Sequence, residues 1–180
     1  MSDILFLAGT TSGMRTRSSV ELFKEAIEKR APRYSTEILD LQELDMQFFD
    51  GRAVEEYNED TKSAIDAIVA ASLIVVAAPV YQGSIPGSLK NLFDLLPRNA
   101  LAKKKAAIIS LLGSNRYYLS PGLHLRPVLE ELSATVLHPW ISVEEKLLDV
   151  LGNTRDADLL VRMDLYAARV VDFLETAATP

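Results

Sequence analysis

Short apolar runs alternate with amphipathic stretches along the chain. The runs are five to nine residues long, which is about the length of strands buried on both faces of a parallel sheet. The predicted strands are Ile4–Ala8, Ser35–Leu41, Leu73–Ala78, Lys105–Leu112 and Thr135–Val143. Because helical patterns lie between them, the chain is predicted to form one three-layer α/β domain over residues 1–180, with a five-stranded parallel sheet of order 2-1-3-4-5.

Apolar positions three and four residues apart predict helices between these strands. One such helix is predicted over Pro86–Leu96, with Ser84 placed to cap its N-terminus. Ser18 or Ser19 is predicted to cap the helix that follows the first strand. The acidic, irregular stretch Leu41–Asn58 is expected to be a long surface loop with a small apolar cluster of its own.

The composition narrows the class of protein. The 180 residues include no cysteine and two histidines, which excludes a disulfide framework and a thiolate metal site and leaves a histidine metal site unsupported. The formal net charge of −6 argues against nucleic-acid binding, which requires a basic surface. The N-terminus lacks the basic residues of a secretory signal, and no apolar run reaches the length of a membrane span. We therefore expect a cytoplasmic protein with no metal, no nucleic-acid partner and no membrane partner.

The segment between the first strand and its helix is rich in hydroxyl groups. It reads Gly-Thr-Thr-Ser-Gly-Met-Arg-Thr-Arg-Ser-Ser from Gly9 to Ser19. Hydroxyl and guanidinium groups at the N-terminus of a helix favour a phosphate, because the helix dipole also attracts an anion there. Neither the Walker A pattern nor the dinucleotide-binding glycine pattern is present. The hydroxyl groups come from Thr10, Thr11, Ser12, Thr16, Ser18 and Ser19, and the positive charges from Arg15 and Arg17. The candidate phosphate-binding residues are Thr10, Arg15, Arg17, Ser18 and Ser19.

The segment after the third strand has turn-forming residues and little charge. Pro79 fixes φ and lacks an N–H, so the chain is expected to turn there. Gly83 permits a close approach of the backbone to a flat ring, and Tyr81 is suited to stacking on one. Backbone N–H groups and the Gln82 amide can hydrogen-bond the polar edge of such a ring. The candidate ring contacts are Pro79, Val80, Tyr81, Gln82, Gly83 and Ser84.

A third loop follows the fourth strand and begins with Gly113 and Ser114. In the predicted strand order, the loops after strands one, three and four open around one crevice at the carboxyl ends of the strands. Together they favour a ligand with a phosphate at one end and a planar, hydrogen-bonding ring at the other. Flavin mononucleotide (FMN) has both features.

The chain also resembles a known family. Residues 79–94 read Pro-x-Tyr-x-x-Ser-x-Pro-Gly-x-Leu-Lys-Asn-x-x-Asp, which is similar to the signature of NADPH-dependent FMN reductases of the flavodoxin-like superfamily. The similarity extends from the first strand through Arg17-Ser-Ser19 to Leu125-Arg-Pro-Val-Leu129, and so covers most of the chain. Within the family, the sequence is most similar to the branch that supplies reduced flavin to alkanesulfonate monooxygenases.

The resemblance implies a flavodoxin-like fold and hydride transfer from NADPH or NADH to FMN, with no catalytic side chain of the protein. It implies phosphate contacts from Thr10, Arg17, Ser18 and Ser19, and places residues 79–84 against the isoalloxazine ring. Gly113 and Ser114 would form the far rim of the ring site. The family further implies a homodimer or homotetramer and a possible flavin-dependent monooxygenase partner.

Two other functions are compatible with the same residues. One is an FMN-containing reductase of quinones, azo dyes or chromate, because those enzymes share the motif of residues 79–94. The other is a flavodoxin-type electron carrier, although the Pro86-Gly87 start of the third helix fits the reductases better. A receiver-type switch requires acidic residues after the first and third strands, where this chain has Ala8-Gly9 and Ala78-Pro79.

Overall fold

A computed structural model of the protein describes residues 2–176, so Met1 and residues 177–180 of the expected domain lie outside it. Within the described residues the strands are β1 (Ile4–Ala8), β2 (Thr36–Asp40), β3 (Leu73–Pro79), β4 (Lys105–Leu112), β5 (Thr135–Val136) and β6 (Ile141–Glu144). The helices are α1 (Arg15–Arg30), α2 (Glu59–Ala70), α3 (Gly87–Leu95), α4 (Arg126–Glu131) and α5 (Ala157–Glu175). No helix in this part of the chain is both long enough and apolar enough to cross a membrane.

The strands form one parallel sheet in the order β2-β1-β3-β4-β5, which confirms the predicted strand order. The fifth strand differs from the prediction, because Thr135–Val143 is not continuous. Its two ends form β5 and β6, and both pair with β4 in parallel. Pro139 lies in the interruption. Since proline has no N–H to offer a neighbouring strand, it is unsuited to the middle of a paired strand.

The two faces of the sheet carry separate cores. Helices α2, α3 and α4 pack on one face against Leu5, Leu7 and Val76, and helices α1 and α5 pack on the other against Ile4 and Phe6. All five residues of β1 are buried, as are all seven of β3 and all eight of β4. Burial on both faces explains why these strands are apolar runs rather than alternating patterns.

Both serine caps predicted from the sequence are wrong. Helix α1 begins at Arg15, so Ser18 and Ser19 lie inside it. Ser18 donates its hydroxyl hydrogen bond to the carbonyl of Leu151 instead of to a helix end. Helix α3 follows Pro86 without a side-chain cap, because Ser84 pairs through its backbone with Tyr81 in a tight turn.

The long segment between β2 and α2 is anchored to the body of the protein through α3. The Asn91 side chain of α3 donates to the Gln47 carbonyl at 3.0 Å and accepts from the Phe49 N–H at 2.9 Å. Met46 packs against the core of that face, whereas Phe48 is 77% exposed. The separate apolar cluster expected within this segment does not form.

The buried ring of Phe23 provides a test of the α1–α5 face. Its centroid lies 6.3 Å from that of Phe6 and 5.5 Å from that of Tyr166. Phe23→Ala should lower the free energy of unfolding by about 3–5 kcal/mol, because it removes a fully buried ring and leaves a cavity. Phe48→Ala is the matched control and should change it by less than about 0.5 kcal/mol. Urea unfolding of the two variants measures both values, and equal effects would contradict this packing.

A second prediction concerns alkaline pH. Burial raises the pKa of the Tyr166 phenol to about 12, from an ordinary value of 10.0. Between these values the unfolded state has lost the proton and the native state keeps it, so this contribution to stability is present below pH 10 and is lost towards pH 12. The free energy of unfolding of Tyr166→Phe should therefore fall less steeply over that range than that of the wild type. Parallel profiles from urea unfolding would argue against this effect.

Candidate functional site

The loops that follow β1 and β3 meet at the carboxyl edge of the sheet. A cavity of about 360 Å³ opens there between the first loop, residues 9–14, and the second loop, residues 80–86. Its walls include Arg15 and Thr16 at the start of α1, Pro79 at the end of β3, Tyr81 after it, and Glu145 after β6. This is the position at which open α/β sheets bind ligands.

Gly9 allows the first loop to leave the sheet beside α3. Its N–H donates to the Ala77 carbonyl at 2.8 Å and so continues the pairing of β1 with β3. A Cβ at this position would lie 2.8 Å from the Leu89 side chain and 3.1 Å from the Ala77 carbonyl oxygen. Only glycine fits this close approach without displacing a neighbour.

Thr10 and Tyr81 connect the two loops. The side chain of Thr10 is buried, and its Oγ1 accepts from the Ser12 N–H at 3.3 Å. The Tyr81 hydroxyl lies 3.1 Å from Thr10 Oγ1 and 3.3 Å from Ser12 Oγ. These contacts hold the candidate phosphate loop and the candidate ring loop on the two sides of one cavity.

The second loop contains a two-residue hairpin turn. The N–H of Tyr81 donates to the Ser84 carbonyl at 2.9 Å, and the Ser84 N–H donates to the Tyr81 carbonyl at 3.0 Å. The central residues Gln82 and Gly83 have φ values of 51° and 80°, which is the left-handed region required by a type I′ turn. The turn uses the N–H groups of its outer residues, so the N–H groups of Gln82 and Gly83 are outside its own pairing. Val80 precedes the turn and donates its N–H to the Leu111 carbonyl.

The two candidate arginines have different surroundings. Arg15 lines the cavity, and its guanidinium contacts the Glu145 carboxylate and the Asp149 carbonyl, each at 3.3 Å. Arg17 lies among carboxylates outside the cavity walls. Its contacts are Glu21 at 2.8 Å, Asp40 at 3.2 Å and Glu43 at 3.2 Å. Its pKa is raised, chiefly by the hydrogen bond to Glu21.

Ser18, Ser19, Gly113 and Ser114 are not among the residues that line the cavity. Ser18 is hydrogen-bonded to Leu151, and the Ser19 hydroxyl is buried without a hydrogen-bond partner in α1. Gly113 and Ser114 follow β4, and Ser114 Oγ accepts from the Arg116 N–H at 3.5 Å. The third loop approaches the second through Tyr117, whose ring is 3.9 Å from the Cβ position of Gly83. The structure thus places the third loop beside the ring loop.

Seven cavity residues are absent from the candidate set of binding residues, namely Ser12, Gly13, Met14, Thr16, Leu111, Glu145 and Val150. Thr16 is 3% exposed, lies in the second position of α1 and lines the cavity. The sequence feature that pointed to Thr16 is its position in the hydroxyl-rich segment. Glu145 and Val150 reach the cavity from the segment between β6 and α5. That segment carries no recognisable motif, and only the pairing of β6 with β4 brings it to this edge.

The hydrogen-bonding groups, charge and flat side chains in and beside the cavity fit FMN. The N-terminus of α1, the hydroxyls of Thr10 and Thr16 and the Arg15 guanidinium suit a phosphate. Pro79, Tyr81 and nearby apolar side chains supply flat walls for a ring, and the cavity volume falls in the usual range for cofactor pockets. Within residues 2–176 no group of three or more histidine or acidic side chains is arranged to hold a metal ion.

Comparisons with known proteins agree with this chemistry. Residues 2–147 match the family described as NADPH-dependent FMN reductase. An NAD(P)H-dependent FAD/FMN reductase of Geobacillus thermodenitrificans is 35% identical over 133 residues, which is 74% of this chain and 72% of that protein. An FMN reductase (NADPH) of Pseudomonas putida is 29% identical over 173 residues, covering 93% of this chain and 83% of its own.

A solved structure shows the same fold. FerB, a flavoenzyme NAD(P)H:(acceptor) oxidoreductase from Paracoccus denitrificans, superposes with a TM-score of 0.79 at 17% identity, covering 99% of this chain and 100% of FerB. A flavodoxin from the domain Archaea superposes with a TM-score of 0.61 at 13% identity, covering 98% of this chain and 100% of that one, so the flavodoxin-like fold is confirmed. The motif of residues 79–94 lies within the matched region, which confirms the resemblance found in the sequence. The chain belongs to the NADPH-dependent FMN reductase family.

Proposed function

We propose that this protein is an NAD(P)H-dependent FMN reductase, which transfers a hydride from NADPH or NADH to FMN. The observation that carries the proposal is the joining of the first and second loops around one cavity by the Tyr81–Thr10 contact. The first loop leads into the N-terminus of α1 and is rich in hydroxyl groups. The second loop contains an exposed turn beside flat side chains. A phosphate-bearing flavin requires both environments at once.

The first loop would hold the phosphate. The N-terminus of α1 presents backbone N–H groups, and Thr16 adds a hydroxyl group at the cavity wall. Thr10 lies behind the wall, with its hydroxyl beside Tyr81, and would support the loop or turn its hydroxyl to the phosphate. Arg15 supplies a positive charge at the cavity wall. Arg17, Ser18 and Ser19 remain candidates for the same role, and they would have to give up their present surroundings or act through the backbone of α1.

The second and third loops would hold the ring. Pro79 and Tyr81 form a wall, and the N–H groups of Gln82 and Gly83 are outside the pairing of the turn and suited to the polar edge of a flavin. Ser120 donates to the Gly83 carbonyl at 3.1 Å, which fixes the turn from the opposite side. Val80, Ser84, Gly113 and Ser114 would complete the surroundings of the ring.

FMN supplies the hydride-accepting chemistry when bound, and the protein supplies orientation, hydrogen bonds and a restricted environment. We assign no side chain as a general acid or base. The turn of residues 81–84 would hold the ring edge in place, while Tyr81 and Pro79 limit the access of water to it. Because FMN accepts the hydride and the protein only binds and orients it, no catalytic dyad or triad is required.

A reductase that keeps FMN bound and passes electrons to quinones, azo dyes or chromate is the alternative. It uses the same binding residues, so the geometry of the cavity does not separate the two. The two functions are distinguished by whether FMN stays bound to the protein during purification and turnover. A flavin that exchanges freely and turns over as a substrate supports the proposed function, and one that copurifies and turns over with quinones supports the alternative.

We further propose a cytoplasmic homodimer or homotetramer that can deliver reduced flavin to a flavin-dependent monooxygenase. Leu119 and Leu123 support self-association, because they are 63% and 67% exposed and lie one helical turn apart, joined by a hydrogen bond from the Leu123 N–H to the Leu119 carbonyl. Adjoining exposed apolar side chains are typical of interaction surfaces. Phe48 is a further exposed apolar side chain, at 77%. Sedimentation of the purified protein tests this point, and a monomer at micromolar concentration would contradict it.

The activity is tested directly with the purified protein. Oxidation of NADPH and NADH is followed by absorbance with FMN, with riboflavin and without added flavin. The proposal predicts flavin-dependent oxidation and a change in the visible flavin spectrum on binding. A protein that neither perturbs the FMN spectrum nor oxidises either nucleotide is not an FMN reductase.

Arg15→Ala tests the phosphate end of the site. The variant should bind FMN about tenfold more weakly, because it loses a charge-assisted contact to the phosphate, and should bind riboflavin almost unchanged. Quenching of flavin fluorescence measures both affinities. Arg17→Ala is the comparison, and we expect a smaller effect, since its guanidinium lies among three carboxylates. Equal losses for FMN and riboflavin in Arg15→Ala would place Arg15 away from the phosphate.

Gly83→Ala tests the ring end. An added Cβ at φ 80° costs about 1 kcal/mol, so the turn should loosen and the affinities for FMN and riboflavin should fall together, by about fivefold. Gly87→Ala is the control, because the position at the start of α3 has no atom within 4 Å of its Cβ. A loss confined to FMN would show that the turn contacts the phosphate rather than the ring.

A further inference from the structure

The cation nearest the candidate phosphate site is already paired with a carboxylate. Arg15 Nη1 lies 3.3 Å from Glu145 Oε2, and both side chains line the same cavity as Pro79 and Tyr81. The pair is partly exposed, at 39% for the arginine side chain and 33% for the glutamate. A phosphate that entered the cavity would therefore meet a guanidinium whose charge is shared with a neighbour.

The glutamate reaches this position through the sheet. Strand β6 pairs with β4 as far as Leu112 and Glu144, so Glu145 is the first residue beyond the carboxyl edge on that side. No residue of the hydroxyl-rich loop is needed to place it there. The Glu145 carboxylate therefore lies at the N-terminal end of α1 although it comes from a distant part of the chain.

Arg15 has a second contact that does not involve a charge. Its Nε donates to the Asp149 carbonyl at 3.3 Å. The turn that carries this carbonyl is held by the Asp149 carboxylate, which accepts from the N–H groups of Leu151 at 2.8 Å and Asn153 at 2.9 Å. Removal of the Glu145 charge should therefore leave the guanidinium at the cavity wall.

We propose that Glu145 competes with the FMN phosphate for Arg15 and thereby weakens the binding of phosphorylated flavins. The inference rests on the proposed function, since it assumes that FMN occupies this cavity. Glu145 is a specificity-determining residue in this view, because it lowers the preference of the site for FMN over riboflavin. The carboxylates around Arg17 do not have this role, since they lie outside the cavity walls.

Glu145→Gln tests the competition while keeping the size of the side chain. The variant should bind FMN about three- to fivefold more tightly than the wild type, as expected for a partly exposed charge pair, with riboflavin affinity unchanged within about twofold. Titration of flavin fluorescence measures both, and does not depend on turnover. Glu25→Gln is the matched control, because Glu25 is an exposed carboxylate that pairs with Lys29 further along α1. It should alter neither affinity.

An Arg15→Ala background separates competition from simple repulsion. There the gain from Glu145→Gln should fall below about twofold, because no guanidinium remains to be released. An unchanged gain in that background, weaker FMN binding by Glu145→Gln, or an equal gain for riboflavin would overturn the inference. Thermal unfolding of each variant checks that the fold is intact, and Glu145→Ala provides a second substitution with the same expected direction.

The failure of this inference is distinguishable from failure of the proposed function. If the wild type binds FMN and reduces it, but Glu145→Gln binds FMN no more tightly, then only the role of Glu145 is wrong. If the wild type binds neither FMN nor riboflavin, then the flavin site itself is wrong, and the inference is overturned with it.

Discussion

The parallel pairing of β1 with β3 is the constraint on which the candidate site depends. It aligns Ile4 with Leu73 and Ala8 with Ala77, and the hydrogen bond from Gly9 to Ala77 extends it by one residue. The first loop therefore leaves the sheet two residues before β3 ends at Pro79. Because the two loops start side by side, a single tyrosine hydroxyl can bridge them, and the cavity between them is a consequence of strand register.

The electrostatics of this edge are unusual for an anion site. Both arginines of the first turn of α1 contact carboxylates, Arg15 at Glu145 and Arg17 at Glu21, Asp40 and Glu43. The chain as a whole carries a formal charge of −6. In the proposed site, attraction of a phosphate would depend on the N-terminus of α1 and on hydroxyl groups as well as on Arg15, because Glu145 offsets part of the arginine charge.

Much of the fold was predictable because each element is consistent with its surroundings. The strands buried on both faces are apolar runs, and the strand order follows from alternation with helices. The errors have local causes. Ser18 and Ser84 resemble caps, but Leu151 and Tyr81 provide them with partners from elsewhere in the chain or from a turn. The predicted fifth strand contains Pro139, and the observed sheet pairs only the stretches on either side of it.

The sequence by itself determined the sheet, the two loops that face each other and the class of ligand, because strand patterns, turn residues and hydroxyl-rich segments are local properties. The tertiary structure decided which side chains reach the cavity. Glu145 and Val150 come from a segment without a motif, and they line the site only because β6 pairs with β4. The tertiary structure also distinguishes Arg15 from Arg17, which look equivalent in the sequence. Residues two positions apart in a helix point about 200° away from each other around its axis, so only one of the two arginines faces the cavity.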